Sequence, residues 1–248
     1  MGEVARPVAR PVTQAVAERG GGVWRAPLPG VVTQAWTILR KDLLVEWRTR
    51  ELVTSTALFG LLSLVVFAFA LDLRTDNAAL VVPGALWIVI TFCGVGALGR
   101  SLGLEQERET LEGLLLAPLD RGALFLAKLA GGTLAMLVVE AVLVPVCAAI
   151  FAVPLLQPRL LPVLFLGTLG FAGVGTLTGA MTVKARSREV LLPLLLFPLA
   201  VPALIGSVKA TAAVVDGTPF GPWLGLLLAY DAIFLVLSWW LFEFVVED

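Results

Sequence analysis

The sequence predicts an all-α integral membrane protein of six transmembrane helices, preceded by an amphipathic helix lying along the membrane surface. Apolar residues make up 58% of the 248 positions and charged residues only 15%, with a mean hydropathy of +0.94, far from the balance of a soluble domain. The apolar residues gather into long runs, and the charged ones into the short connections between them. A chain sorts its residues in this way when its solvent is a bilayer.

Residues 1–30 contain Pro7, Pro11, Pro27, Pro29, Gly20–Gly22 and four arginines where a secretory signal needs a short apolar core. They read as a disordered cytoplasmic tail that can also touch anionic headgroups, diluted by Glu3 and Glu18. In residues 31–51, Val32, Trp36, Leu39, Leu43 and Trp47 recur at steps of three and four, with Arg40, Lys41, Glu46, Arg48 and Arg50 on other faces. Such a helix rests in the headgroup region with its tryptophans at the depth aromatics favour. At its plainest it only anchors the first span.

A helix needs about 20 apolar residues to cross about 30 Å of hydrocarbon, which places spans at 52–71, 80–99, 122–153, 160–183, 190–208 and 222–242. The third is over-long, with Lys128 in its first turns able to reach the headgroups. The fourth carries Gly167, Gly170, Gly173, Gly175 and Gly179, including a GxxxG at 175–179 that permits close helix approach. The fifth carries Pro193, Pro198 and Pro202, which predict a kink and freed carbonyls that neighbours or water must satisfy. Residues 209–221 read as an external connection long enough to dip back into the membrane. Residues 52–248 form one six-helix domain with no internal repeat.

Orientation follows from the basic residues. Eight precede the first span, and Arg100, Arg108, Arg121, Lys184, Arg186 and Arg188 fall in the other connections on the same side. The opposite side holds only Arg74, Arg159 and Lys209. Both termini are therefore expected in the cytoplasm. The sequence has no histidine, which removes the commonest haem and zinc ligand. Cys93 and Cys147 sit inside apolar runs without metal-ligand spacing and read as ordinary buried residues.

Arg100 to Lys128 is the most specific stretch, reading RSLGLEQERETLEGLLLAPLDRGALFLAK. A short amphipathic helix there puts Leu104, Arg108, Leu111 and Leu115 on one side and Glu105, Glu109 and Glu112 near an adjoining one. It has one face to bury and one charged face to present. The plainer alternative is a solvated loop whose leucines pack under the bundle.

This stretch resembles the connection between spans two and three of type-2 ABC exporter permeases. With KDLLVEWRTRE at 41–51, the run 83–129, KARSRE at 184–189 and LFEFVVED at 241–248, the chain more closely resembles the CcmB family, haem exporter protein B of cytochrome c maturation. The resemblance covers nearly everything after residue 32. It implies a multi-pass permease subunit in a bacterial plasma membrane, paired with a separate ATPase, CcmA, and working with CcmC, CcmD and the haem chaperone CcmE. A permease dimer or heterocomplex is the assembly it implies. In that reading Glu105, Arg108, Glu109, Leu111, Glu112 and Leu115 are the ATPase contacts. ATP and haem sit on partners, this chain binds no cofactor or metal directly, and the pair drives haem export or release of the haem-loaded chaperone. The chain itself is expected not to be an enzyme, since it has no GxxxxGK(S/T) and no soluble domain of ATPase size.

Glu140 and Asp231 fall inside spans, where a charge costs about 2.5–3.5 kcal/mol or more. They read either as the lining of a conformational path or docking groove, or as acids hydrogen-bonded to a neighbouring helix. Lys128 and Lys209 are possible counter-charges. Three other functions remain open on the residues alone: a generic ABC-2 permease for lipid, polysaccharide or drug, a static membrane scaffold, and a membrane enzyme. The last lacks a cluster of titratable residues.

Overall fold

The computed structural model describes residues 30–70, 78–107, 120–182, 185 and 187–247. Among them are seven α-helices and no strand: α1 (Val31–Thr49), α2 (Glu51–Ala70), α3 (Ala78–Glu107), α4 (Arg121–Phe151), α5 (Leu160–Thr182), α6 (Arg188–Val215) and α7 (Gly221–Glu247). Six of these, α2 to α7, are long and apolar enough to cross a membrane. The protein is thus a helical integral membrane protein of the predicted class. Expectations for the tail at residues 1–29 lie outside the described residues.

Helix α5 is the hub, packing against α3, α4, α6 and α7. Its most apolar stretch is 72% buried, whereas that of α2, at the edge against α3 and α4, is 17% buried. Glycine explains the difference. In lipid, helices gain nothing from hiding apolar surface from water, so close van der Waals packing decides which of them associate. A Cβ on Gly167 would overlap Trp87 of α3 and Ser207 of α6, and one on Gly170 would overlap Tyr230 and Asp231 of α7. Gly175, the first residue of the GxxxG, receives Leu98 of α3 in the same way.

Two features of α6 differ in outcome. The helix runs on through Lys209 to Val215, so the connection expected at 209–221 shrinks to residues 216–220, too short to dip back into the membrane. The physical reason is that residues 210–215 are small or apolar: Ala210 and Thr211 are fully buried, and Thr211 Oγ1 accepts the Trp87 indole N–H at 2.9 Å. The helix stops where Gly217 takes a left-handed φ of 69°. The Thr218 N–H then bonds the Ala213 carbonyl at 2.9 Å and that of Gly217 bonds Val214 at 3.3 Å, closing a Schellman motif. The contact between this helix and α7 does not come from its prolines: the Tyr230 hydroxyl bonds the Leu199 carbonyl at 3.0 Å, whereas the carbonyl that Pro202 frees is that of Pro198.

Candidate functional site

The residues that hold α1 to the bundle form a stripe that apolar periodicity does not reveal. Gln34, Ile38, Asp42 and Glu46 follow each other at steps of four, hence along one line of the helix, and this line faces the protein. Gln34 is buried and its Oε1 accepts the backbone N–H of Asp120 at 2.9 Å. Ile38 is buried beside Leu39, in a cluster with Leu124 and Phe125 of α4. Asp42 Oδ2 accepts from Lys128 Nζ at 2.7 Å. Glu46 Oε1 accepts the Val53 N–H at 2.9 Å, serving an orphan donor in the first turn of α2. Of the predicted apolar stripe only Leu39 turns inward, while Val32, Trp36, Leu43 and Trp47 are exposed.

Lys128 is therefore a correction. Its side chain is only 7% exposed and paired with Asp42, so it neither reaches for headgroups nor serves Glu140 or Asp231. The preceding helix supplies a carboxylate within reach, and pairing a buried ammonium costs less than stretching it through apolar side chains.

The elbow between α1 and α2 is one residue, Arg50, with φ 51°. It ends α1, its N–H bonding the Glu46 carbonyl, and its own carbonyl accepts the Thr54 N–H to start α2. At the start of α4, Asp120 caps the helix through Oδ1 to the Gly122 N–H at 2.8 Å. Asp120 is thus tied to α1 through its backbone and to α4 through its side chain. Trp239 of α7 packs over the same end, its ring 6.5 Å from that of Phe125.

Deeper in the bundle, Glu140 of α4 and Asp231 of α7 are both buried and reach α5 at nearly the same level. Thr168 donates its hydroxyl to Glu140 Oε1, while Asp231 lies against Gly170. Residues 168 and 170 sit about 200° apart around a helix, so the two carboxylates approach α5 from different sides and make no pair. Glu140 Oε2 and both Asp231 oxygens have no hydrogen-bond partner among the described residues. Lys209 is exposed near the end of α6.

Of the predicted ATPase contacts, Glu105 falls within α3, and Arg108, Glu109, Leu111, Glu112 and Leu115 lie outside the described residues. What is visible is how the segment is hung: it leaves the last turns of α3 and returns at Asp120.

Comparison with known proteins decides the family. The family profile described as "CcmB protein" matches residues 33–247. The chain belongs to the CcmB family. It is 28% identical over 206 residues to the protein named heme exporter protein B of Escherichia coli K12, covering 82% of this chain and 93% of that one. Against its namesake in Pseudomonas aeruginosa it is 26% identical over 202 residues, 81% and 90% of the two chains. Against that of Rhodobacter capsulatus it is 30% identical over 152 residues, 59% and 68%. The match covers the polar stripe of α1 from Gln34 onward, both flanks of segment 100–121 and the two buried carboxylates of this CcmB protein.

Proposed function

We propose that this protein is the membrane-spanning permease subunit of an ABC transporter complex for cytochrome c maturation. One observation carries the reading: the CcmB match extends from residue 33 to 247 and so takes in the juxtamembrane helix and the connection at 100–121 together. The name of the relatives, heme exporter protein B, gives the cargo class. The work done is haem export or release of a haem-loaded chaperone.

The energy comes from a separate ATPase, CcmA, which grips the connection between α3 and α4 through Glu105, Arg108, Glu109, Leu111, Glu112 and Leu115. CcmC, CcmD and CcmE complete the assembly and hold the haem iron, since this chain has no histidine to offer it. The distribution of basic residues supports both termini in the cytoplasm of a bacterium and the connection on the same side as the ATPase. The bonds at Asp120 support the coupling role. A pull on the connection reaches Asp120 first, and Asp120 is fixed to α1 by Gln34 and to α4 by its own cap.

The test uses the full chain purified with its ATPase partner and returned to lipid. Reversing Glu109 and Glu112 to lysine is expected to remove the change in ATPase rate that the permease imposes, and to abolish holo-cytochrome c formation at normal protein level. Unchanged ATPase rate and unchanged cytochrome c would refute the coupling role. A cysteine placed at position 112 that reacts from the external side would refute the topology, and the low background of buried Cys93 and Cys147 makes this labelling clean.

A further inference from the structure

Beneath α1 the bundle is not closed. A cavity of about 360 Å³ opens between α1, α2, α3 and α4, within the size range of small-molecule sites. Its inner wall is aliphatic, built from Leu52, Val53, Leu98, Leu134 and Val138. Small residues make the room: Ala97, Gly131, Gly132 and Ala135 stand where larger side chains would fill it. Asp42, Glu46, Trp47 and Arg50 form the rim; Thr54, Thr176 and the buried Lys128, paired with Asp42, also line the space.

Two physical facts select the occupant. An aliphatic space at the edge of the hydrocarbon would forfeit the dispersion contacts of its lining if empty, and its wall offers water few polar partners. A hydrocarbon chain satisfies it. Asp42 is already paired with Lys128 at 2.7 Å and with Lys41 at 3.1 Å, which leaves one carboxylate, Glu46, and one cation, Arg50, to meet a ligand. A singly anionic headgroup would meet Arg50 but leave Glu46 opposed to it, whereas one bearing both a phosphate and an ammonium meets a complement to each. The outward tryptophans of α1, Trp36 at 62% and Trp47 at 74% exposed, set the rim at headgroup depth. Arg50 lies over the Trp47 ring, 5.6 Å from its centroid, which orients a guanidinium suited to two phosphate oxygens.

We infer that this cavity is a phospholipid site. It takes an acyl chain of a zwitterionic, ammonium-bearing phospholipid from the leaflet in which α1 lies, with the phosphate on Arg50 and the ammonium against Glu46. The bound lipid completes the packing between α1 and the spans. This inference needs the membrane fold alone and stands apart from the haem reading, because among the described residues the cavity lining holds no His, Cys, Met or Tyr to ligate iron.

The experiment places the full chain in nanodiscs of equal phosphatidylethanolamine and phosphatidylglycerol, extracts it gently, and counts retained lipids by native mass spectrometry. One phosphatidylethanolamine per chain is the expected result. Ala135→Leu, which fills the cavity, and Arg50→Gln, which removes the phosphate partner, are each expected to lower its retention about tenfold. Val66→Ala on the exposed face of α2 is expected to leave it unchanged. Equal or preferential retention of phosphatidylglycerol, displacement of the lipid by added haem, or full retention by Ala135→Leu would overturn the assignment. Should the variants fail to fold, wild-type protein with a diazirine-bearing acyl chain decides: cross-links are expected in residues 52–54 and 131–138, and their absence there overturns the site.

Discussion

Replacing Gly170 by alanine is expected to destabilise the protein, although alanine is the better helix former. A Cβ there would stand 2.9 Å and 3.0 Å from two ring carbons of Tyr230, where ordinary contact begins near 3.4 Å, and would also overlap Asp231 Oδ1. The ring cannot give way: its hydroxyl is bonded to the Leu199 carbonyl, and it stacks on Phe234 with centroids 4.4 Å apart. Helix α7 must therefore retreat by roughly half an ångström along its largest interface. Overpacking of this kind costs about 1–3 kcal/mol; with the ring pinned at both ends the upper part of that range, about 2–3 kcal/mol, applies, and a propensity gain of about 1 kcal/mol leaves roughly 1–2 kcal/mol of net destabilisation. Gly225→Ala is the control, since a Cβ there meets nothing within 4 Å and keeps the propensity gain. At about 2–4 °C per kcal/mol for a chain of this size, Gly170→Ala lowers the unfolding midpoint by roughly 2–8 °C and Gly225→Ala raises it by about 2–4 °C. The assay is heating in mild detergent, followed by the fluorescence of the seven tryptophans. A Gly170→Ala midpoint at or above wild type would refute the argument that close approach, rather than helix propensity, governs α5.

Three further outcomes follow from single bonds. Thr168→Val removes the donor to Glu140 and is expected to cost about 1–3 kcal/mol in the same melt, with Thr168→Ser near wild type. Thr211→Val strands the buried Trp87 indole N–H at a similar cost of about 1–3 kcal/mol, read also as a shift in tryptophan emission. Gln34→Leu frees the Asp120 N–H from α1. It is expected to lower stability by only about 1 kcal/mol while raising hydrogen exchange at Asp120, and unchanged exchange there would count against the anchor.

The six spans were legible because lipid imposes one rule, long apolar runs, and the chain obeys it. What escaped was set by partners that one-dimensional patterns omit. Residues 210–215 continue α6 because Trp87, far away in sequence, supplies a donor to Thr211, and only the Asp216–Gly217–Thr218 stop signal could have marked the true end. The inward line of α1 escaped because it is mostly polar. Apolar periodicity marks the face that leaves water, and at a membrane surface that face meets lipid while the protein-facing one holds Gln34, Asp42 and Glu46. An amide, an isoleucine and two carboxylates at steps of four, Gln34, Ile38, Asp42 and Glu46, were the available signal. The candidate ATPase contacts came from resemblance to a family, because the same residues read equally well as a solvated loop.

The anchor of α1 and the interior of the bundle are held by different forces, and this divides what each can do. Gln34, Asp42 and Glu46 fix α1 at three points spread over about 18 Å of helix, to Asp120, Lys128 and Val53. Directional bonds at three heights stop a helix from rolling or sliding, so α1 and the beginnings of α2 and α4 move as one body. Around Gly167 and Gly170, by contrast, α5 meets α3, α6 and α7 through surface fit, and both oxygens of Asp231 lack a partner among the described residues. Such a seam resists separation but has few directional bonds to oppose a small slide. In the proposed coupling role, a displacement delivered at Asp120 would pass through α1 and α4 and be taken up at the glycine faces of α5. Variants of the polar line should accordingly weaken coupling more than stability, and variants of the glycine faces the reverse.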